Sequence, residues 1–257
     1  MTSVWLSVDP LAEDYPGWSP YNYTLNNPIN LIDPDGRSVT DDYYDQFGEY
    51  LGSDGSSSNN ARIIDRETFE FIDQGFGADS KEGTELLQGS SRIIKVDNKQ
   101  IQRDLQTARD KAIETGNEYS VEIILNPVKA LITSRLGEIG NNKETDIVYT
   151  KDSEGTFEET GYFPLLAQAH SHPKNQTAGE YNIRGTSQKD ENAANNIGIP
   201  IYSIDSYSGK VGTSGRIHRV SPDRTHTNNL GFTIGNSTKN GAGQFNIGID
   251  ALRFRKK

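Results

Sequence analysis

The chain has 257 residues, with 36 acidic against 26 basic side chains and a formal net charge of −10. That balance argues against a general nucleic-acid binder, which needs Lys and Arg to neutralise phosphates. Cysteine is absent, which excludes disulfides, thiolate zinc sites and a cysteine nucleophile and leaves the redox compartment open. Only 33% of residues are hydrophobic and 25 are Gly, so dense packing along the whole length is not expected. No apolar run approaches ~18 residues, so no membrane span is expected. No basic region followed by an apolar stretch opens the chain, so export would depend on a system other than its own signal peptide.

Residues 4–37 carry five prolines (Pro10, Pro16, Pro20, Pro28 and Pro34) among Tyr, Trp and Asn. Proline removes a backbone donor and fixes φ, so neither a long helix nor a central strand fits here. Asp33-Pro34-Asp35-Gly36 is a turn signature. Trp5, Trp18, Tyr21 and Tyr23 need a surface to pack on, which points to a partner or an upstream domain. The stretch DPLAEDYPGWSPYNYTLNNPINLIDPDGR, residues 9–37, resembles the end of the core of Rhs/YD-repeat proteins. In that family a β-rich shell of repeats ends in this motif, and a variable C-terminal toxin domain follows. The resemblance implies that residues 1–37 are a core C-terminal segment and that the rest is a toxin cassette. Its partners would be an upstream Rhs shell and a neutralising immunity protein, and its place would be that of a delivered effector. Arg37 stands where many members carry an apolar residue after the DPxG element.

Residues 38–90 are rich in Asp, Gly and Ser and read as a flexible polar linker, most clearly at DGSSSNN, 54–60. Within them Ile63-Ile64 and residues 69–72 are candidates for short strands. From residue 91 to 230 the pattern is that of a globular domain. A strand is expected at 92–96. A helix is expected over 104–114, with Leu105, Ala108, Ala112 and Ile113 at helical spacing and Gly116 as its C-cap. Strands follow at 119–125, 128–136 and 147–150, then a buried strand at 165–170 that ends in His-Ser-His-Pro. A polar loop covers 174–186, and Thr186 or Ser187 caps a helix that ends near Asn196 before Gly198. Strands at 199–205 and 212–220 complete the pattern. The order predicts an α/β fold with a mixed sheet flanked by helices. Residues 231–257 are a Gly-rich extension without an assigned element, its last five residues read as a solvated tail.

Chemistry concentrates at His170 and His172. Residues i and i+2 of a strand point to one face, so the two imidazoles form half of a metal site. Asp190, in the first turn of the following helix, is the third candidate ligand. Three protein ligands leave a position open for water, the mark of a catalytic rather than a structural zinc. His218 and His226 have no partners at ligand spacing and read as ordinary surface residues.

The sequence His170-Ser171-His172-Pro173, followed by Ser187-Gln188-Lys189-Asp190, resembles the signature of the JAMM (JAB1/MPN+) metalloproteases. The resemblance implies a JAMM/MPN-like, cytidine-deaminase-like architecture with zinc (Zn2+) as cofactor. It also implies a peptidase or isopeptidase acting on a protein or peptide substrate, in which water activated by the zinc attacks an amide carbonyl. It assigns His170, His172 and Asp190 as ligands, Glu118 as general base and Ser187 as the donor to the developing oxyanion. Glu122 and Glu138 are alternatives for the base. Thirteen residues separate Pro173 from Ser187, more than is usual in the family. Loop closure entropy grows only slowly with length, so the ligands can still converge and the inserted loop would border the site. Two other readings remain: a catalytically silent JAMM-like binding module, and a metal-dependent nuclease toxin, against which the acidic balance and the missing basic stripe count.

Overall fold

The structure, a computed structural model, describes residues 40–139, 163–173, 185–206, 209–233 and 246–254. The Rhs-like stretch, the strand expected at 147–150 and nearly all of the loop 174–186 lie outside the described residues. The chain divides into two compact units between Ile94 and Lys95. No helix among the described residues is long and apolar enough to cross a membrane.

In the first unit β1 (Asp42–Tyr44), β2 (Tyr50–Ser53), β3 (Ala61–Ile63) and β4 (Arg92–Ile93) form a sheet in the order β2-β1-β3-β4. The β1/β3 pair is parallel, and β1/β2 and β3/β4 are antiparallel. Helices α1 (Arg66–Phe76) and α2 (Lys81–Ser90) complete the unit. The segment expected to be a linker is therefore folded between residues 42 and 93, and the reason is partly apolar and partly polar. Tyr43, Ile64, Phe69, Ile72, Ala78 and Leu87 gather into one core. The Ser- and Asn-rich stretch is tied down by carboxylates. Asp54 accepts hydrogen bonds from the Tyr43 hydroxyl (2.8 Å), the Asp41 N–H (3.1 Å), the Ser56 N–H (3.0 Å) and Gln88 Nε2 (3.2 Å). Asp41 accepts from Ser58, from Asn60 and from Arg62. A composition that reads as flexible is here a supply of matched donors and acceptors.

Residues 69–72, expected as a strand, lie in α1. Phe69 and Ile72 stand three apart and are the buried residues of that helix, as a helix face requires. Asp65 caps it by accepting from the Thr68 N–H. The apolar run at 92–96 is split at Ile94, with Arg92–Ile93 pairing in the first sheet and Lys95–Val96 in the second.

The second unit is built on a mixed sheet of seven strands in the order β11-β10-β9-β8-β6-β7-β5. These are β5 (Lys95–Val96), β6 (Tyr119–Asn126), β7 (Leu131–Ile139), β8 (Leu165–His172), β9 (Ile201–Asp205), β10 (Arg216–Val220) and β11 (His226–Phe232). The β5/β7 and β8/β9 pairs are parallel and the others antiparallel. The expected mixed sheet flanked by helices is present. Its first helix, α3 (Asn98–Thr115), starts six residues before the expected position because Asp97 caps it by accepting from the Gln100 N–H; Gly116 ends it as expected. Ile101, Leu105, Ala108 and Ala112 are its buried apolar face. Strand β7 begins later than expected because 127–130 form a turn, closed by the Ala130 N–H on the Pro127 carbonyl at 3.3 Å.

Residue alternation separates the two faces of the sheet. Ser134, paired with Ile123 across β6/β7, donates to Asp104 of α3 at 2.6 Å, so α3 covers the Val121/Ile123 face. Helix α4 (Gln188–Ile197) covers the opposite face through Ala194, which packs with Ile201 and Val220. The extension after residue 231 contains a further helix, α5 (Ile247–Arg253). Asp250 of α5 meets Arg219 of β10 at 2.6 Å and accepts from the Tyr202 hydroxyl, and Phe254 lies 4.3 Å from the Arg219 guanidinium. This part of the extension, which the sequence left unassigned, is thus packed on the sheet.

The polar stretch 42–93 depends on its small core. Phe69→Ala should cost the first unit about 3–5 kcal/mol, comparable to the whole stability of a unit this small. Limited proteolysis should then cut within 42–93 while the wild type resists.

Candidate metal centre

Strand β8, helix α4 and strand β9 follow one another in the chain, with β8 and β9 parallel neighbours. Such a crossover returns the helix N-terminus to the carboxyl end of the first strand. The sequence places two histidines at that strand end and an aspartate in that first helical turn. His170 and His172 share the face covered by α4 and are 4% and 7% exposed.

Their Nε2 atoms are 2.9 Å apart, with ring centroids at 4.9 Å. Asp190 Oδ1 is 3.2 Å from His170 Nε2, and Oδ2 is 3.6 Å from His172 Nε2. Ligands at roughly 2.0–2.1 Å around a tetrahedral ion stand about 3.3 Å from one another. The triangle formed by two imidazole nitrogens and one carboxylate therefore fits a divalent ion. His170 Nδ1 is buried and has no hydrogen-bond partner among the described residues, and Nε2 is the nitrogen that faces His172 and Asp190. The expected ligands His170, His172 and Asp190 are brought together, and they are a possible metal-binding triad in the structure.

The N-terminus of α4 holds the carboxylate. Ser187 Oγ accepts from the Asp190 N–H at 3.2 Å, and the Ser187 N–H donates to Asp190 Oδ2 at 2.6 Å, a complete capping box. Ser187 thus sits beside the ligands and fixes the rotamer of one of them. Gly198 ends the helix as expected.

Glu118 is 8% exposed and lies just before β6. Ser120 pairs with His170 in the antiparallel β6/β8 register, and two further residues along each strand bring Glu118 opposite His172. Its charge is felt at His170. Glu122 shares that parity but pairs with Gln168 and forms an ion pair with Arg135 at 2.5 Å, so its carboxylate is engaged. The side chain of Glu138 lies outside the described residues.

Burial alone would push the His170 imidazolium pKa down. The Asp190 charge and hydrogen bond, with Glu118 adding, override it and raise the pKa to about 9. Burial would raise the Asp190 pKa, but His170, His172 and the Ser187 N–H hold the carboxyl well below its ordinary range.

Two residues not assigned to the site from sequence stand at its border. Asp205 ends β9 and pairs with His172 in the parallel register. His218, expected at the surface, is 5% exposed, with Nε2 3.0 Å from Asp205 Oδ2. A signal was available, since period-2 alternation in 216–220 puts His218 on the face of buried Val220. His226 is at the surface as expected, between Thr186 (2.7 Å) and Glu191 (3.1 Å). Burial pushes the Asp205 carboxyl up, and the hydrogen bond and charge of His218 more than offset this and hold it below its usual range.

No protein-family model matches the sequence, and no curated protein matches it.

The raised His170 value sets two pH dependences. In the metal-free protein, the stability from His170 protonation is complete below about pH 6.5, the unfolded value, and is lost as pH rises through about 9. The contribution of Asp190 is present above about pH 3.8 and is lost as pH falls through its depressed value. A metal ion competes with the His170 proton, so apparent affinity should rise about tenfold per pH unit up to about pH 9 and flatten above it. Competition with a chromophoric chelator across pH 6–10 measures this; a pH-independent affinity contradicts it.

Proposed function

We propose that this chain is a zinc-dependent hydrolase of the JAMM type, cleaving peptide or isopeptide amide bonds as the toxin cassette of an Rhs-like protein. The reading is carried by one observation: the two strand-end imidazoles and the helix-N-terminal carboxylate converge within 2.9–3.6 Å, with a second buried acid beside them. The order of these residues in the chain and their resemblance to the JAMM signature support the same reading. So does the mixed sheet with helices on both faces. The Rhs-like motif supports the delivery context, in which an immunity protein would neutralise the cassette before export.

His170, His172 and Asp190 would hold the ion. A bound zinc supplies Lewis-acid activation of water and of a carbonyl. Glu118 is buried and its charge reaches His170; it would accept the proton of the attacking water and return it to the leaving amine. Ser187 Oγ accepts from the Asp190 N–H in the helix cap, which leaves its hydroxyl proton for the developing oxyanion. Its capping and catalytic roles are therefore compatible. The strand and crossover helix hold these groups on rigid elements, so their geometry needs no ordering when substrate arrives.

Protein purified without added metal should carry about one zinc per chain, and His170→Ala or Asp190→Ala should lose it. Assayed on a panel of peptide and lysine-isopeptide amides, His172→Ala and Glu118→Gln should lower turnover at least 100-fold while far-UV circular dichroism is unchanged. Metal-free, fully folded wild type favours the silent binding module. Normal turnover by both variants removes the proposed chemistry.

A further inference from the structure

Beyond the three ligands, a second polar chain runs along the same face of the sheet. His170 pairs with Ser203 across β8/β9, and Ser203 pairs with His218 across β9/β10. Asp205, two residues further along β9, pairs with His172. The Asp205 carboxylate meets His218 Nε2 at 3.0 Å. The other ring nitrogen of His218 is occupied as well: the Asn228 side-chain amide lies 3.1 Å from Nδ1, and the Asn229 N–H reaches it at 3.4 Å. Both ring nitrogens of His218 are thus engaged by its neighbours. Its position fits an orienting role for Asp205.

Two anchors make this carboxylate rigid. From the opposite face of the sheet, the buried Arg109 donates to the backbone carbonyl of Asp205 at 3.2 Å and to those of Lys210 (3.2 Å) and Thr213 (2.6 Å). On the site face, Asp205 Oδ1 accepts from the Gly185 N–H at 3.4 Å. Gly185 lies two residues before Ser187, the cap of the helix that carries Asp190. Its φ of +80° is in the left-handed region, and a Cβ there would stand 3.0 Å from Asn228 Oδ1 and 3.4 Å from His218 Nδ1. The turn that carries the third ligand is therefore seated directly on the Asp205–His218–Asn228 chain.

We propose that Asp205, oriented by His218 and Asn228, is a positioning residue of the metal centre that seats the Gly185 turn and so sets where the Asp190 carboxylate meets the two imidazoles. Asp205 touches none of the reacting atoms. It acts through the backbone that leads to Asp190, and through its charge next to His172. The inference rests on the metal-centre reading above, and it adds residues that the His-Ser-His-Pro and Ser-x-x-Asp spacing does not contain.

The test uses the full chain, stripped of metal and titrated with Co(II), with zinc affinity read by competition against a chromophoric chelator. All measurements are made at a temperature where circular dichroism shows each variant folded. Asp205→Asn and His218→Ala should each weaken zinc binding roughly tenfold or more and shift the visible absorption of the cobalt form. His218→Gln keeps a donor toward Asp205 and should recover most of the affinity. Wild-type affinity and an unchanged cobalt spectrum in both variants, with only the melting temperature lowered, overturns the inference and leaves the metal centre standing. Failure of the wild type to bind either ion overturns the metal centre and this inference with it. Should His218→Ala not fold, Asp205→Asn decides, since it preserves the shape of the side chain but removes its charge and one of the two acceptors that meet the Gly185 N–H and His218 Nε2.

Discussion

The meeting of the Asp190 carboxylate with the imidazoles of His170 and His172 is the contact on which the candidate metal centre depends. It joins the carboxyl end of a central strand to the first turn of the helix that follows it, in a place largely closed to water. An unpaired carboxylate there would be costly to bury. The Ser187 N–H and the two rings offset that cost, and the carboxylate in turn pulls His170 toward its protonated state. The three groups converge as a possible metal-binding triad.

Capping and ligation are one arrangement here. Helix N-termini present unsatisfied N–H groups and a positive end of the macrodipole, and Ser187 with Asp190 satisfies them as a capping box. The carboxylate that completes the cap is the one that faces the imidazoles. Changing Ser187 thus acts on helix stability and on ligand geometry at once. The parallel β8/β9 pairing decides what stands next to the ligands: it brings Asp205 alongside His172, and the antiparallel β10 then brings His218 to Asp205.

The first unit shows how a polar sequence can fold without a large apolar core. Tyr43 contributes both a ring to the core, 5.6 Å from Phe69, and a hydroxyl to Asp54. Asp41 collects donors from Ser58 and Asn60 of the Ser- and Asn-rich stretch, and Asp54 ties that stretch to Tyr43 and Gln88. Each such bond contributes only about 1 kcal/mol net, so it is their concentration on two buried carboxylates that orders the segment. Composition is blind to this, because a linker and a hydrogen-bonded loop use the same residue types.

Much of the second unit could be read along the chain. Local periodicity places α3, β6, β8 and β9, and the Ser-x-x-Asp pattern before an Ala-containing run places the start of α4. The His-x-His alternation already puts two imidazoles on one face, and the first helical turn supplies a nearby acid. These are short-range facts, set by backbone geometry over a few residues. The tertiary structure decided the rest. The β6/β8 register set Glu118 toward His172, while the β6/β7 pairing gave Glu122 an ion pair with Arg135. It also buried His218 against Asp205, across thirteen residues of chain. The partners of a side chain on a sheet belong to neighbouring strands, and which strands become neighbours is not a local property of the sequence.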